Sequence, residues 1–275
     1  MTSWKDLIAL IVGFALSVIA GLIGALIQRR IDRRAERKPL NQLLNFGEDE
    51  LLFCFAHREE MPGAILPRTS TEDFLAMNNF ISALLNIGWN KKIGVRDPGR
   101  ISLSDRKKNL VIICSPKSNS FAEEFQKEMQ QCGLRLFLFK QDDKDDKEWY
   151  ITDGHAKYYS ESYKQEKCYR QQNICPHDFP SRVFEDYAVI TKLTNPWNGK
   201  NKIIHVAGIR GIGTWGAAEC IKKRWRQIYD RLPEKHKDSD FSSCIRVKYD
   251  NCDITEIEVI DVRMIMPISR QQPHT

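Results

Sequence analysis

The sequence predicts an α/β fold, a three-layer sheet domain ending in a C-terminal antiparallel hairpin and preceded by one transmembrane helix. Three observations predict it. Residues 7–27 carry no charged side chain. After Pro39, short apolar runs alternate with stretches of helical periodicity, the order expected when helices cover a sheet. Two of the runs, Asn109–Cys114 (NLVIIC) and Lys202–Ala207 (KIIHVA), are apolar almost throughout, as strands buried on both faces are.

Composition removes several alternatives. A chain of 275 residues with 42% hydrophobic and 28% charged side chains is neither disordered, collagen-like nor a disulfide-dense mini-protein. The net charge of +6 is unevenly spread, since residues 1–38 hold seven basic and three acidic side chains. That leaves +2 over the other 237 residues, so charge does not support nucleic acid as a partner.

The N-terminal segment comes first. Leu7–Ile27 is 21 residues long with Ser17 as its only strongly polar side chain, enough at about 1.5 Å per residue to cross a hydrocarbon core of roughly 30 Å. A signal peptide needs a shorter apolar run with its positive charge in front. Here Arg29, Arg30, Arg33, Arg34, Arg37 and Lys38 follow the run, which predicts a single span with the N-terminus outside and the following domain cytoplasmic. Gly13, Ser17, Gly21 and Ala25 recur every four residues, a small-residue stripe suited to self-association in the bilayer. The expected organisation is a span over 1–28, a basic juxtamembrane linker over 29–45 and a cytosolic domain over 46–275. The eight cysteines include no C-x-x-C pair, which fits free thiols in a reducing compartment.

Within the domain, Leu51–Ala56 is the first strand. Thr69-Ser70-Thr71-Glu72 reads as a capping box with Thr69 as N-cap. It opens a helix whose apolar face runs from Phe74 to Ile87 and whose C-cap is Gly88. The strand NLVIIC leads through Ser115-Pro116-Lys117-Ser118-Asn119-Ser120 into a helix ending near Gln131, and Leu134–Lys140 is a further strand. Residues 141–148 are a charged loop, and 153–180 show no useful periodicity. Tyr187–Leu193 and KIIHVA are strands, a glycine-rich turn leads to a helix from about Trp215 to Arg231, and Cys244–Tyr249 pairs with a strand in Ile254–Met266 as a hairpin.

Two strand–loop–helix junctions can hold a ligand. Gly208-Ile209-Arg210-Gly211-Ile212-Gly213-Thr214-Trp215-Gly216 carries four glycines between a strand and a helix, where exposed N–H groups attract an anion. Gly211, Gly213 and Gly216 have the G-x-G-x-x-G spacing of dinucleotide sites. Ser115, Lys117, Ser118 and Asn119 form a second phosphate-type edge, with an ordinary N-cap as the competing reading. If both loops leave the carboxyl ends of parallel strands, they face one crevice. Asn195, ahead of Pro196 and Trp197, is expected to line it too, unless it is a plain turn. No P-loop, G-x-S-x-G or H-E-x-x-H motif occurs. His155, Cys168, Cys175 and His177 lack zinc-ligand spacing, and Asp142, Asp143, Asp145 and Asp146 lack that of a calcium loop, so no metal site is expected.

The run from Gly208 to Thr214 resembles the glycine loop of the SLOG group of Rossmann-like domains, which includes cytokinin-activating phosphoribohydrolases and sensors of nucleotide derivatives. Gly211, Gly213 and Thr214 carry the match, with the Ser115–Ser120 loop a looser one. The resemblance implies a Rossmann-like sheet and a nucleotide or cyclic nucleotide ligand. The group's enzymes have a glutamate three residues after that threonine; position 217 here is alanine and the first acid is Glu219. A membrane helix on such a domain is similar in layout to effectors of bacterial nucleotide-signalling defence systems. The expected function is a membrane-anchored sensor of a phosphorylated ligand held by Gly211, Gly213, Thr214 and Gly216, with Arg210, Lys117, Ser118 and Asn119 assisting. The alternatives are a hydrolase using Glu219 or Glu185 in the same crevice, and a non-catalytic, membrane-tethered interaction module.

Overall fold

A computed structural model describes residues 28, 35–56, 70–142, 148–161, 183–250 and 253–265. The expected span and its stripe Gly13, Ser17, Gly21 and Ala25 lie outside these. Among the described residues no helix is long and apolar enough to cross a membrane.

A seven-stranded mixed sheet organises the domain. Its strands are β1 (Leu51–Phe55), β2 (Ile93–Arg96), β3 (Asn109–Ile113), β7 (Val183–Thr194), β8 (Lys202–Gly208), β9 (Phe241–Asp250) and β10 (Asp253–Met264). In space they run β10-β9-β7-β8-β3-β1-β2. Strands β2, β1, β3 and β8 are mutually parallel, with Leu51 beside Asn109 and Ile113 beside Val206. Strand β7 is antiparallel to both β8 and β9, and β10 closes the expected hairpin against β9.

Alternation along the central strands makes two cores. Leu51, Phe53, Val111, Ile113, Ile204 and Val206 face one way and meet helices α1 (35–44), α2 (Thr71–Ile87), α5 (Gly211–Glu219) and α6 (Trp225–Tyr229). Leu52, Cys54, Leu110, Ile112 and Ile203 face the other way, against Phe121, Phe125 and Met129 of α4 (Ser120–Gln131). The one-turn helix α3 (Leu103–Arg106) joins β2 to β3. Helix α1 falls in the stretch expected as a linker, yet Leu40, Leu43 and Leu44 are among the most buried side chains. The domain therefore reaches back to α1, which hydrophobic burial holds in place.

Six elements differ from the sequence expectation. The strand after α4 begins later, as β4 (Leu138–Gln141), and leaves the main sheet to pair with β5 (Trp149–Thr152) and β6 (Lys157–Tyr159). β8 already has a neighbour on each side, so Phe137 and Phe139 instead pack on the sheet face at Val189, Ala207 and Cys244. Strands β2, β5 and β6 are three or four residues long, too short to show a period. The N-cap of α2 is Ser70, whose hydroxyl accepts from Asp73 N at 3.1 Å; Gly88 caps the other end with φ of 81°. Finally, α5 starts at Gly211 and runs into a π-helical turn at Cys220–Arg224, so most of the glycine-rich turn is helix.

Candidate functional site

The strand order β2-β1-β3-β8 fixes where a crevice can form. From β1 the chain moves to β2 by way of α2 on one face; from β3 it leaves in the opposite direction by way of α4 on the other. The carboxyl ends of β1 and β3 are thus a topological switch point, the place where open α/β sheets bind ligands. Cys114 leaves β3 there with φ of 89°, in the left-handed region that costs a non-glycine residue about 1–3 kcal/mol. Its N–H donates to Val206 O at 3.1 Å, which ties the exit of β3 to that of β8. The Ser115 and Gly208 loops therefore leave neighbouring strands at one edge.

On the β3 side, Ser115 is buried and its carbonyl accepts from Ser118 N and Asn119 N. Asn119 is an N-cap: Oδ1 accepts from Ala122 N at 3.0 Å and Nδ2 donates to Ile113 O at 2.9 Å. Lys117 and Ser118 are exposed on the rim. Asp73, buried in the first turn of α2, stands close enough to Cys114 to disfavour its thiolate. Burial raises the Cys114 pKa to about 12, as it does for Cys54 and Cys220, so these are neutral thiols.

On the β8 side, the N-terminus of α5 is occupied from within. Asp186, on β7 and wholly buried, accepts from Arg210 N and Gly213 N at 3.0 Å each through Oδ2. Burial raises its pKa to about 7 against the pull of the Arg210 N–H and the Ser160 hydroxyl beside it. Thr214, 1% exposed, accepts from Gly208 N at 2.9 Å. A Cβ on Gly213 would overlap Asp186 Oδ2, and one on Gly216 would sit 2.5–2.6 Å from the Val247 methyls. Gly213 and Gly216 thus let α5 lie close on the sheet. Gly211 and Arg210, both half-buried, remain at the rim.

Two predicted residues are elsewhere. Because β7 runs antiparallel to β8, with Thr194 beside Lys202, its carboxyl end is at the opposite edge of the sheet. Asn195, fully buried there, donates to Arg106 O and Lys108 O at 2.7 Å and accepts from Trp197 N. Glu219 lies eight residues along from Gly211, about 12 Å at helical rise. It accepts from Asn79 Nδ2 at 2.7 Å and pairs with Lys223 at 2.5 Å, bracing α5 against α2. The structure therefore brings Ser115, Lys117, Ser118, Asn119, Arg210, Gly211, Gly213 and Thr214 to one edge, leaves Gly216 one turn into α5, and does not bring Asn195 or Glu219.

Asp186 is the residue of this site whose role is not legible in the sequence. The available signal was a carboxylate placed two residues before the apolar run of β7. His205 is a core residue, flanked by Phe125 and Phe139, held at Cys114 O and lowered by burial to a pKa of about 4. Among the described residues no group of three or more His, Cys, Asp or Glu side chains is arranged to hold a metal. Comparison with protein-family models, curated proteins and solved structures finds no match for this chain.

Proposed function

We propose that the chain is a membrane-anchored sensor whose α/β domain binds a nucleotide-type or other phosphorylated ligand at the carboxyl ends of β3 and β8, beside the β1/β3 switch point. The observation that carries this reading is the adjacency of the two loop exits, tied by the Cys114 N–H to Val206 O bond. With Asp186 engaging the Gly213 amide, the loop is a rigid floor. Phosphate contact then falls to Lys117, Ser118 and Arg210 on the rim, where cationic side chains and a hydroxyl meet solvent. Neutral buried thiols, and a Glu219 engaged away from the crevice, favour binding over turnover. The anchor is the charge-free segment 7–27.

The test is thermal unfolding of the full chain in neutral detergent against nucleotides, cyclic dinucleotides and dinucleotide cofactors. At about 100 times its dissociation constant a ligand adds roughly 2.7 kcal/mol, a midpoint shift of a few degrees. Lys117→Ala and Arg210→Ala should remove the shift with little change in the unliganded midpoint. No shift anywhere in the panel rejects the nucleotide reading.

A further inference from the structure

Away from the switch point, α1, the end of α2 and the π-helical turn line a partly open cavity of about 290 Å³. Glu36, Arg37 and Leu40 line it from α1, Asn86 from α2, and Lys222 and Trp225 from the turn and α6. Small-molecule sites run from roughly 300 to 1,000 Å³, so this cavity suits a group the size of a phospholipid headgroup and is too small for a dinucleotide.

Its chemistry is that of an anion site. Arg37 donates Nε to Asn86 O at 2.9 Å, and Lys222 donates Nζ to Asn79 Oδ1 at 2.9 Å. A guanidinium has five donors and an ammonium three, so one bond each leaves both cations with donors to spare. Glu36, the carboxylate in the wall, is offset by Arg226 at 3.7 Å. Leu40 and Trp225, both buried, form the apolar side. The π-helical turn at Cys220–Arg224 forms part of this wall, and such turns are frequent at functional sites.

The surroundings indicate the source of the anion. Residues 222–226 read Lys-Lys-Arg-Trp-Arg, and Arg29, Arg30, Arg33 and Arg34 precede α1. Clustered cations of this kind are attracted to anionic lipid surfaces. Arg37 is ten positions beyond Ile27, about 15 Å if helical and at most about 36 Å if extended.

We propose that this cavity binds the phosphate of an anionic lipid headgroup, with Arg37 and Lys222 as its cationic ligands. The lipid source rests on the reading of residues 7–27 as a span; the phosphate chemistry rests on the cavity alone. Dioctanoyl phosphatidylglycerol, dioctanoyl phosphatidylcholine and glycerol 3-phosphate are titrated into the full chain in neutral detergent, below the lipids' micellar concentrations, and read by Trp fluorescence and thermal midpoint. Saturable binding of phosphatidylglycerol, absent with phosphatidylcholine and weakened at least tenfold in Arg37→Gln or Lys222→Gln, supports the proposal. Arg37→Lys should retain most of it, which separates lost charge from lost fold. Equal binding of glycerol 3-phosphate through the same residues supports the phosphate site and assigns it a soluble ligand. Binding that survives both charge-removing variants, or no saturable binding of either phosphate, overturns it. Carbonate extraction of membranes tests the span separately, so the two failures are distinguishable.

Discussion

The Asp186 carboxylate and the Gly213 amide are 3.0 Å apart, and the same oxygen takes the Arg210 amide. A side chain from β7 thereby occupies the N-terminus of α5, where a free helix start would attract an external anion. Asp186→Ala leaves the buried Gly213 amide and the part-buried Arg210 amide without this acceptor. A loss of about 2 kcal/mol or more is expected, since each unsatisfied buried group costs about 1–3 kcal/mol. Asp186→Asn, which keeps an acceptor oxygen, should lose less. Denaturant midpoints of the two variants decide this, and equal losses would reject the capping role.

Acid titration should expose the same residue. Its carboxyl titrates near 3.9 in the unfolded chain and near 7 in the folded one. Between these values the folded state holds the extra proton, so the Asp186 contribution to stability falls as pH rises from about 4 to about 7, then levels off. Asp186→Asn should remove that slope. A variant whose pH profile matches the parent would show that Asp186 titrates normally.

Lys192 predicts the opposite slope. Wholly buried on β7, it donates from Nζ to Leu43 O of α1 and to Asp238 O, both at 2.8 Å. Burial lowers its pKa to about 7, against about 10.4 unfolded. The unfolded chain holds the extra proton between those values, so this contribution to stability rises from pH 7 toward pH 10. Lys192→Met should abolish the rise and cost about 1–3 kcal/mol through the two abandoned carbonyls. Hydrogen exchange should speed up first in α1. Unchanged exchange there would mean that Leu40, Leu43 and Leu44 hold the helix without the lysine.

The close approach of α5 to β9 can be tested by exchange of volume. Gly216→Ala places a methyl against Val247, an overpacking worth about 1–3 kcal/mol. Val247→Ala in the same chain should restore part of the loss, giving a coupling of at least about 0.5 kcal/mol in a double-mutant cycle. Additive effects would place the cost of the alanine elsewhere.

Asn195 and Glu219 should separate fold from ligand. Asn195→Ala strands the carbonyls of Arg106 and Lys108 and should cost about 1–3 kcal/mol, with ligand affinity unchanged because the residue is at the far edge. Glu219→Gln keeps an acceptor for Asn79 and loses an ion pair only to the exposed Lys223, so it should cost about 1 kcal/mol and also leave affinity unchanged. A tenfold loss of ligand affinity in either would move the site away from the β1/β3 edge.

Sequence alone determined the alternation of strands and helices, the continuous burial of NLVIIC and KIIHVA, the Gly88 cap and the C-terminal hairpin. Each is written in local periodicity or in one turn residue, which is why it can be read without the fold. The tertiary structure alone decided that β7 runs against β8, which sends Asn195 to the opposite edge. It also decided that β4 joins a second sheet, that α1 belongs to the core, and that Asp186 rather than an outside anion caps α5. Strand direction and pairing depend on partners distant in the chain. An apolar run reads the same in either direction, and the carboxylate that meets Gly213 lies 27 residues before it.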